Sequence, residues 1–270
     1  MLGTEVEAQL KKSELAYWAT DREVDITDDS ALSACMKDKS IDWVINCAAY
    51  TAVDQAEDEI EAAYRLNRDG VCNLAALVRQ QKARLLHIST DYVFDGKKKP
   101  PTAYQETDLP HPLSIYGKSK LAGEQAITRH LNGNLIVRTA WLYGLRGHNF
   151  VKTMLQLFGE RDQVKVVDDQ WGSPTYAGDL ARALIQIITA SHVPAGIYHF
   201  SNMGVTTWYR FALEILQQAK ERGLIAKHKK VQITPITTAQ FPTQAIRPQN
   251  SLLSKQKINC AKIVHPKIAR

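Results

Sequence analysis

IDWVINCAA, at residues 41–49, is a nearly continuous apolar run that ends in small residues. Such a run is typical of a strand that is buried on both faces of a parallel sheet. Residues 57–81, which follow it, carry apolar side chains at helical spacing, and RLLHIST at residues 84–90 is a second apolar run. Because parallel strands need a crossover between them, this order predicts a doubly wound α/β fold with a parallel sheet.

The same alternation continues towards the C-terminus, with less regular spacing. Further helices are predicted at residues 114–130, 149–160, 176–191 and 206–223, and further strands at residues 134–144, 163–169 and 196–202. Beyond about residue 230 the chain is rich in Pro and Thr, which predicts ordered loops rather than more sheet. We expect a Rossmann-like dinucleotide-binding domain over residues 1–145. Residues 146–270 are predicted to form a smaller, mainly substrate-binding α/β subdomain, with some segments returning to the main sheet.

The beginning of the chain differs from what this fold requires. A dinucleotide-binding domain starts with a strand and a Gly-rich turn, and the helix after the turn holds the pyrophosphate at its N-terminus. Here Gly3 directly precedes a predicted helix, and ELAYWAT at residues 14–20 is interpreted as the second strand. Gly3 is interpreted as the last glycine of such a turn, and a flexible terminus is the alternative. We expect the first strand and most of the turn to be missing, and dinucleotide binding to be weak. The C-terminal stretch NCAKIVHPKIAR is expected to stop short of a final helix.

The composition argues against several classes of function. The 270 residues are 44% hydrophobic, and the net charge of +6 is spread along the chain. The densest basic run, at residues 97–99, lacks the interleaved aromatic residues of a nucleic-acid groove, so a small anionic substrate fits the charge better. The four cysteines have neither C-x-x-C nor zinc spacing, and no apolar run is long enough to span a bilayer. We expect a soluble cytoplasmic protein with no metal site and no nucleic-acid or membrane partner.

Candidate catalytic residues lie in SIYGKSKLAGE, at residues 114–124. Tyr116 and Lys120 are four residues apart, so on a helix they share one face. Thr90 ends the strand RLLHIST, and open α/β sheets place their active sites at the carboxyl ends of strands. Together these groups could protonate a developing alkoxide, and the ammonium would lower the pKa of the phenol. A Tyr–Lys pair at this spacing also arises by chance on many helices, which is the alternative interpretation. His87 lies inside the strand and is interpreted as a core histidine.

Six motifs, in this order along essentially the whole chain, resemble those of the extended short-chain dehydrogenase/reductases. They are NCAAYTAVDQAE (46–57), HISTDYVFDG (87–96), PLSIYGKSKLAGE (112–124), RTAWLYG (138–144), DDQWGSPT (168–175) and RPQNS (247–251). The resemblance implies that Tyr116 is the proton donor, that Lys120 is its partner and a contact of the cofactor ribose, and that Thr90 is the third catalytic residue. It also implies a reduced nicotinamide cofactor, NADPH or NADH.

The resemblance extends to the residues that bind the cofactor and the substrate. With Gly3, Tyr116 and Lys120, the expected cofactor-binding residues are Asp21, Arg22, Asp25, Ile26, Ala49, Tyr50 and Thr51. An acid at Asp21 favours a free ribose 2′-hydroxyl and an arginine at Arg22 tolerates a 2′-phosphate, so the choice between NADH and NADPH stays open. The expected substrate-binding residues are Thr90, Asp91, Trp141 and Arg247. A core aromatic is the alternative for Trp141, and a solvated arginine is the alternative for Arg247.

The implied activity is the reduction of the C4 ketone of a dTDP-linked 6-deoxy-4-keto sugar. A dTDP-sugar would then be the small-molecule partner, and a homodimer is one compatible assembly. A non-catalytic NADP-binding regulatory subunit of the same fold, like that of methionine adenosyltransferase, is the alternative, together with an inactive, shortened reductase. The complete set of Thr90, Tyr116 and Lys120 favours the enzyme, whereas the incomplete glycine turn favours a binding role.

Overall fold

The structure, a computed structural model, describes residues 1–260. Its helices are α1 (Leu2–Leu10), α2 (Asp29–Met36), α3 (Ile60–Tyr64), α4 (Gly70–Gln80), α5 (Ile115–His130), α6 (Phe150–Glu160), α7 (Ala177–Thr189), α8 (Trp208–Glu221) and α9 (Gln256–Cys260). Its strands are β1 (Trp43–Asn46), β2 (Arg84–Thr90), β3 (Leu135–Thr139), β4 (Leu142–Tyr143), β5 (Gln163–Val167), β6 (Trp171–Gly172), β7 (Thr175–Tyr176), β8 (Gly196–His199), β9 (Thr206–Thr207) and β10 (Gln232–Ile236).

Four parallel strands form the central sheet, in the order β1-β2-β3-β8. Leu86 of β2 is in register with Ile45 of β1 and with Leu135 of β3, and β8 pairs with the other edge of β3. Side chains of α1 and α7 pack in the core on one face of the sheet, and side chains of α2, α4 and α5 pack in the core on the other. The predicted doubly wound α/β fold is therefore confirmed.

Strand β2 sends its side chains to two different cores. Leu86 and Ile88 belong to the core under α1 and α7, whereas Leu85 belongs to the core under α4 and α5. Because successive side chains of a strand point to opposite faces, His87 and Ser89 lie on the same face as Leu85. This alternation directs two polar side chains of β2 towards helix α5.

A second, smaller core is formed by the later part of the chain. It joins α6 and α8 to strands β5 and β10, with Phe158, Val164, Ala212 and Ile233 among its buried members. Helix α7 and strand β8, which come from the same half of the chain, pack with the main sheet instead. Two cores and a returning strand are compatible with the proposed division near residue 145, which stays a prediction.

The structure has no strand at residues 14–20, so the expected second strand is wrong. Leu15 and Trp18 in this segment are 38% and 60% exposed. Among the described residues, β1 pairs with a strand on one side only, and segment 14–20 has no strand beside it. A segment with strand-like composition stays irregular where no neighbour supplies the backbone hydrogen bonds.

Two further expectations are corrected by the structure. Residues past 230 do contribute a strand, since β10 pairs in parallel with β5, and its Pro235 is opposite Val166. Among the described residues, β10 pairs with β5 alone and is therefore an edge strand. Proline, which has no N–H donor, is tolerated in edge strands. The predicted strand at 134–144 is split into β3 and β4 by Trp141, whose φ of 49° takes the chain out of the extended conformation. The terminal stretch beyond Cys260, on which the expectation about a final helix rests, lies outside the described residues.

Helix α5 packs closely against a π-helical turn, Arg65–Asp69, that joins α3 to α4. A Cβ atom placed on Gly123 of α5 would lie 2.2 Å from the carbonyl oxygen of Asn67 in this turn. A backbone oxygen held in a helix cannot move aside at low cost, so this contact requires glycine.

Replacement of Gly123 by alanine is expected to destabilise the fold by about 1–3 kcal/mol, because α5 or the π turn must shift. Gly159 of α6 is the matched control, since a Cβ atom there would meet nothing within 4 Å. Gly159→Ala should be neutral or stabilising by up to about 1 kcal/mol, because alanine is the better helix former. Chemical denaturation of both variants measures the difference, and equal stabilities would contradict the close contact.

Candidate active site

The start of helix α5 is fixed by three contacts. Ser114 is its N-cap and accepts a hydrogen bond from Gly117 N at 3.1 Å, and Ile115 N donates to Glu57 Oε1 at 2.8 Å. A Cβ atom on Gly117 would lie 2.2 Å from the carbonyl oxygen of Tyr92, which follows β2. The first turn of α5 therefore sits directly on the carboxyl end of β2, as the sequence predicted for Tyr116 and Thr90.

Tyr116 and Thr90 lie close together at this point, since the Thr90 hydroxyl acts on the pKa of the Tyr116 phenol. Thr90 Oγ1 in turn donates to Asp91 Oδ1 at 3.1 Å and accepts from Tyr92 N at 3.2 Å. The ring of Tyr92 packs edge-on against that of Tyr116, with 5.4 Å between ring centroids. A phenol, a hydroxyl and a carboxyl group are thus brought together at the end of β2.

Burial raises the pKa of Tyr116 to about 12, although the Thr90 hydroxyl acts in the opposite direction. The expectation that Lys120 lowers the pKa of this phenol is not met in the structure. The reason is geometric, because Lys120 Nζ is engaged elsewhere: it donates to Ile88 O at 2.7 Å. The phenol is consequently protonated at neutral pH and can serve as an acid.

Lys120 is 2% exposed and lies one helical turn after Tyr116. Besides Ile88 O, its Nζ contacts His87 Nε2 at 3.3 Å. Burial lowers the pKa of Lys120 to about 8, while the charge of Glu124, one turn further along α5, acts to raise it. The lysine therefore loses its proton more readily than a surface lysine, although it is still mostly protonated at pH 7.

Glu124 anchors the same face of α5 to the sheet. Its Oε1 accepts from Ser89 Oγ at 2.5 Å and from Arg138 Nε at 2.8 Å, and its Oε2 accepts from Arg138 Nη2 at 2.6 Å. The side chains of Glu124 and Arg138 are 4% and 1% exposed. This buried ion pair joins α5 to β2 and β3 at once.

The N-terminus of α1 lies beside the carboxyl end of β1. A Cβ atom on Gly3 would be 3.6 Å from Cys47 Cβ, just after that strand. Helix α1 begins without a side-chain cap, so its first N–H groups are available to an anion. These features fit the pyrophosphate of a dinucleotide, and contact of the Lys120 amine with a ribose hydroxyl stays a prediction.

Comparison with known proteins identifies the family. The family model described as RmlD substrate binding domain matches residues 1–269. A dTDP-4-dehydrorhamnose reductase of Aggregatibacter actinomycetemcomitans is 44% identical over 248 residues, which cover 90% of this chain and 83% of that protein. The chain belongs to the dTDP-4-dehydrorhamnose reductase family. The Escherichia coli K12 protein of the same name is 39% identical over 242 residues, or 88% of this chain and 80% of that protein.

Solved structures of dTDP-4-dehydrorhamnose reductases have the same fold. That of Bacillus anthracis strain Ames, in complex with NADP, superimposes with a TM-score of 0.91 at 38% identity and covers 99% of this chain and 91% of that one. A UDP-glucose 4-epimerase of Thermus thermophilus in complex with NAD has a TM-score of 0.80 at 20% identity and covers 100% of this chain and 92% of that one. The epimerase shares the fold alone.

The structure of this family member divides the remaining candidates for cofactor binding into two groups. Ala49, Tyr50 and Thr51 follow β1, and the backbone of Tyr50 is held by Asn67, which accepts from Tyr50 N at 2.9 Å and donates to Tyr50 O at 3.1 Å. The second group lies in the irregular segment before α2. It comprises Asp21, Arg22, Asp25 and Ile26.

The members of this second group differ in their surroundings. Asp21 and Arg22 are exposed, whereas Asp25 and Ile26 contact neighbouring residues. Asp25 accepts from Thr27 N at 2.8 Å and lies 3.9 Å from Arg65. Ile26 packs so closely on α4 that a Cβ atom on Gly70 would be 2.7 Å from it. A role in cofactor binding stays a prediction for all four residues.

The candidate substrate residues Trp141 and Arg247 have partners within the chain. Trp141 stacks on Trp208 with 3.5 Å between ring centroids, and a Cβ atom on Gly172 would clash with its ring at 2.4 Å. Arg247 forms two hydrogen bonds with Asp54, at 3.0 and 2.6 Å. Arg247 is therefore ion-paired with Asp54 and is not the freely solvated arginine of the alternative interpretation. Contact of Trp141 or Arg247 with substrate stays a prediction.

Several buried polar residues of the site were not identified from the sequence. Asn67 also donates to Ser119 Oγ at 2.9 Å, which ties the π turn to α5. His87, predicted to be a core histidine, is buried but also contacts Lys120. The contact could have been found from the two-residue period of β2, because this period puts His87 and Ser89 on the face of the sheet that α5 covers.

Neither a metal-binding cluster nor a membrane-spanning helix is found in the described part of the chain. Within residues 1–260, no cluster of three or more His, Cys, Asp and Glu side chains could hold a metal ion. Over the same residues, none of the helices has the length and apolar character needed to cross a membrane.

Burial raises the pKa of Asp91 to about 6, above its ordinary value of 3.8, and the Ser251 and Thr90 hydroxyls offset only part of this effect. The folded state then binds a proton more tightly than the unfolded state, so stability is lost as pH rises from about 4 to 6. Asp91→Asn should therefore stabilise the protein by about 1–3 kcal/mol at pH 7.5 and much less at pH 4.

Asp95→Asn is the control with the opposite sign. Although burial acts to raise it, the Tyr104 hydroxyl and Lys97 N hold the pKa of Asp95 below its ordinary value. This variant should lose stability at pH 7.5. Urea denaturation at both pH values measures the two effects, and a destabilised Asp91→Asn variant at pH 7.5 would contradict the burial of a charged carboxylate.

Proposed function

We propose that the protein catalyses the NAD(P)H-dependent reduction of the C4 ketone of dTDP-4-dehydro-6-deoxy-L-mannose, which gives dTDP-L-rhamnose. The observation that carries the proposal is that the first turn of α5 sits on the carboxyl end of β2, which brings Tyr116 close to Thr90, with Lys120 one turn away. The membership of the dTDP-4-dehydrorhamnose reductase family supports the choice of substrate.

The residues present can perform the proton transfer of such a reduction. A reduced nicotinamide, when bound, would supply the hydride to the ketone carbon. Tyr116, protonated because its pKa is raised to about 12, donates its proton to the oxygen at C4 as negative charge develops there. Thr90 can orient the same oxygen by a hydrogen bond, and Lys120 provides a buried amine for the ribose and for restoring the phenol proton.

Cofactor binding is assigned to the N-terminus of α1 for the pyrophosphate and to the segment after β1 for the nicotinamide half. The relative from Bacillus anthracis is in complex with NADP, which supports NADPH as the cofactor. Arg22 could bind its 2′-phosphate, while Asp21 would favour NADH. Turnover with each cofactor at equal concentration tests the preference. A chain that binds neither cofactor would contradict the proposal.

Two broader expectations belong with this proposal. We expect the reaction to take place in the cytoplasm, which localisation of a tagged protein in the producing cell tests. A homodimer is one compatible assembly, and light scattering coupled to gel filtration measures the oligomeric state directly.

Tyr116→Phe is expected to lower kcat by about 10²–10⁴-fold, because it removes the proposed acid and keeps the ring. The KM for the dTDP-sugar should stay within a few-fold. Tyr198→Phe is the matched control, since its hydroxyl donates to Pro194 O at 2.7 Å in the core under α7. NADPH oxidation measured by absorbance compares both variants with the parent. Parent-like turnover of Tyr116→Phe would remove this residue from the mechanism.

A further inference from the structure

His87 is completely buried between the sheet and α5 and makes two polar contacts. Its Nε2 lies 3.3 Å from Lys120 Nζ, and its Nδ1 lies 3.1 Å from Asn46 Nδ2. Burial, and then the charge of Lys120, hold the pKa of the imidazole well below its ordinary value. The ring is therefore neutral, with one N–H donor and one acceptor nitrogen.

Asn46 decides which nitrogen of His87 carries the hydrogen. Asn46 Oδ1 accepts a hydrogen bond from Ala48 N at 3.0 Å, so the amide oxygen is committed and Asn46 Nδ2 faces the ring. An amide nitrogen only donates, so His87 Nδ1 must accept. The ring hydrogen then sits on Nε2 and is directed at Lys120 Nζ.

This arrangement favours one form of the lysine. A charged ammonium has three donors and no acceptor, whereas a neutral amine has a lone pair that accepts the Nε2–H bond. The carbonyl oxygen of Ile88 takes one hydrogen of Lys120 in either form. His87 therefore gives Lys120 a fixed position and a partner that suits the neutral amine.

Within residues 1–260, the other groups around Lys120 do not supply a directly bonded anion. On α5, Glu124 is committed to Arg138 and Ser89, and Tyr116 is a protonated phenol. After β1, burial raises the pKa of the Cys47 thiol to about 12, so it is neutral, and the amino terminus at Met1 acts on this thiol. His87 on β2 is the side chain that touches the amine.

We propose that His87 is a positioning residue for the reduction: held by Asn46, it fixes the Lys120 amine at the carbonyl of Ile88 and directs its Nε2–H at that amine. The inference rests on the proposed function, because Lys120 is the partner of Tyr116 there. Its consequence is that the neutral amine is favoured, so Lys120 gives up its proton more readily than a surface lysine.

The first test reads the tautomer and needs no variant. Nitrogen-15 NMR of the full chain should show His87 protonated at Nε2 and not at Nδ1. A carbon-13 titration of the lysine side chains, with Lys120→Met to assign the signal, should place Lys120 well below the other lysines. Protonation at Nδ1, or a Lys120 that titrates with the surface lysines, would overturn the proposal.

The second test separates positioning from packing. His87→Asn keeps an acceptor near the Nδ1 position for Asn46 but removes the contact with Lys120, whereas His87→Gln keeps a polar group near Nε2. His87→Asn should lower kcat about tenfold or more with KM for the dTDP-sugar nearly unchanged, and should move the titration of Lys120 upwards. His87→Gln should recover much of kcat.

His199→Asn is the matched control for the loss of a buried histidine. His199 lies on β8, its Nδ1 contacts Tyr104 O at 3.2 Å, and burial lowers the pKa of this ring to about 3. This variant should lose stability and leave the titration of Lys120 in place. A His87→Asn variant that only loses stability, with kcat per folded molecule and the Lys120 titration as in the parent, would overturn the proposal.

The role of His87 and the proposed function can each be contradicted independently of the other. The NMR measurements are made without substrate or cofactor, so they test the role of His87 even if the parent does not reduce the dTDP-sugar. Absence of turnover in the parent would count against the proposed function alone.

Discussion

One buried carboxylate governs the geometry of the site. Glu124 lies on α5 eight residues after Tyr116 and four after Lys120, so all three share one helical face. Its oxygens accept from Ser89 of β2 and from Arg138 of β3, and both partners of the ion pair are buried. Removing one partner of such a pair typically costs about 3–5 kcal/mol, since the other charge is left uncompensated. The rotation of α5 about its axis, and hence the direction of Tyr116 and Lys120, depends on this contact.

The close contacts of α5 act together with this ion pair. Gly117 brings the first turn onto Tyr92, and Gly123 brings the next turns onto the π turn that carries Asn67. Asn67 then binds both Ser119 of α5 and the backbone of Tyr50 after β1. A small set of polar bonds therefore ties α5 to the π turn and to the segment after β1.

The sequence predicted those features that depend on local pattern. The strand at 84–90 coincides with β2, and the predicted helix at 114–130 differs from α5 by one residue, because burial and capping act over a few residues. Segment 14–20 was mispredicted because a strand depends on a neighbour, and pattern alone does not show whether one is present. The pKa of Tyr116 was misjudged for a similar reason. Spacing placed Lys120 near it, but burial and the direction of the amine towards Ile88 are properties of the packed structure.

The stacked indoles of Trp141 and Trp208 have an optical consequence. Two aromatic chromophores with centroids 3.5 Å apart and planes within 10° of each other couple strongly in their excited states. Such a pair contributes a paired positive and negative band to the ultraviolet circular dichroism, whose size depends on the mutual orientation of the rings. Trp141 follows β3 at the edge of the site, on a backbone held in the left-handed region. The protein therefore carries an internal reporter of any rearrangement around this residue, one that needs no label and is independent of chemistry at the nicotinamide.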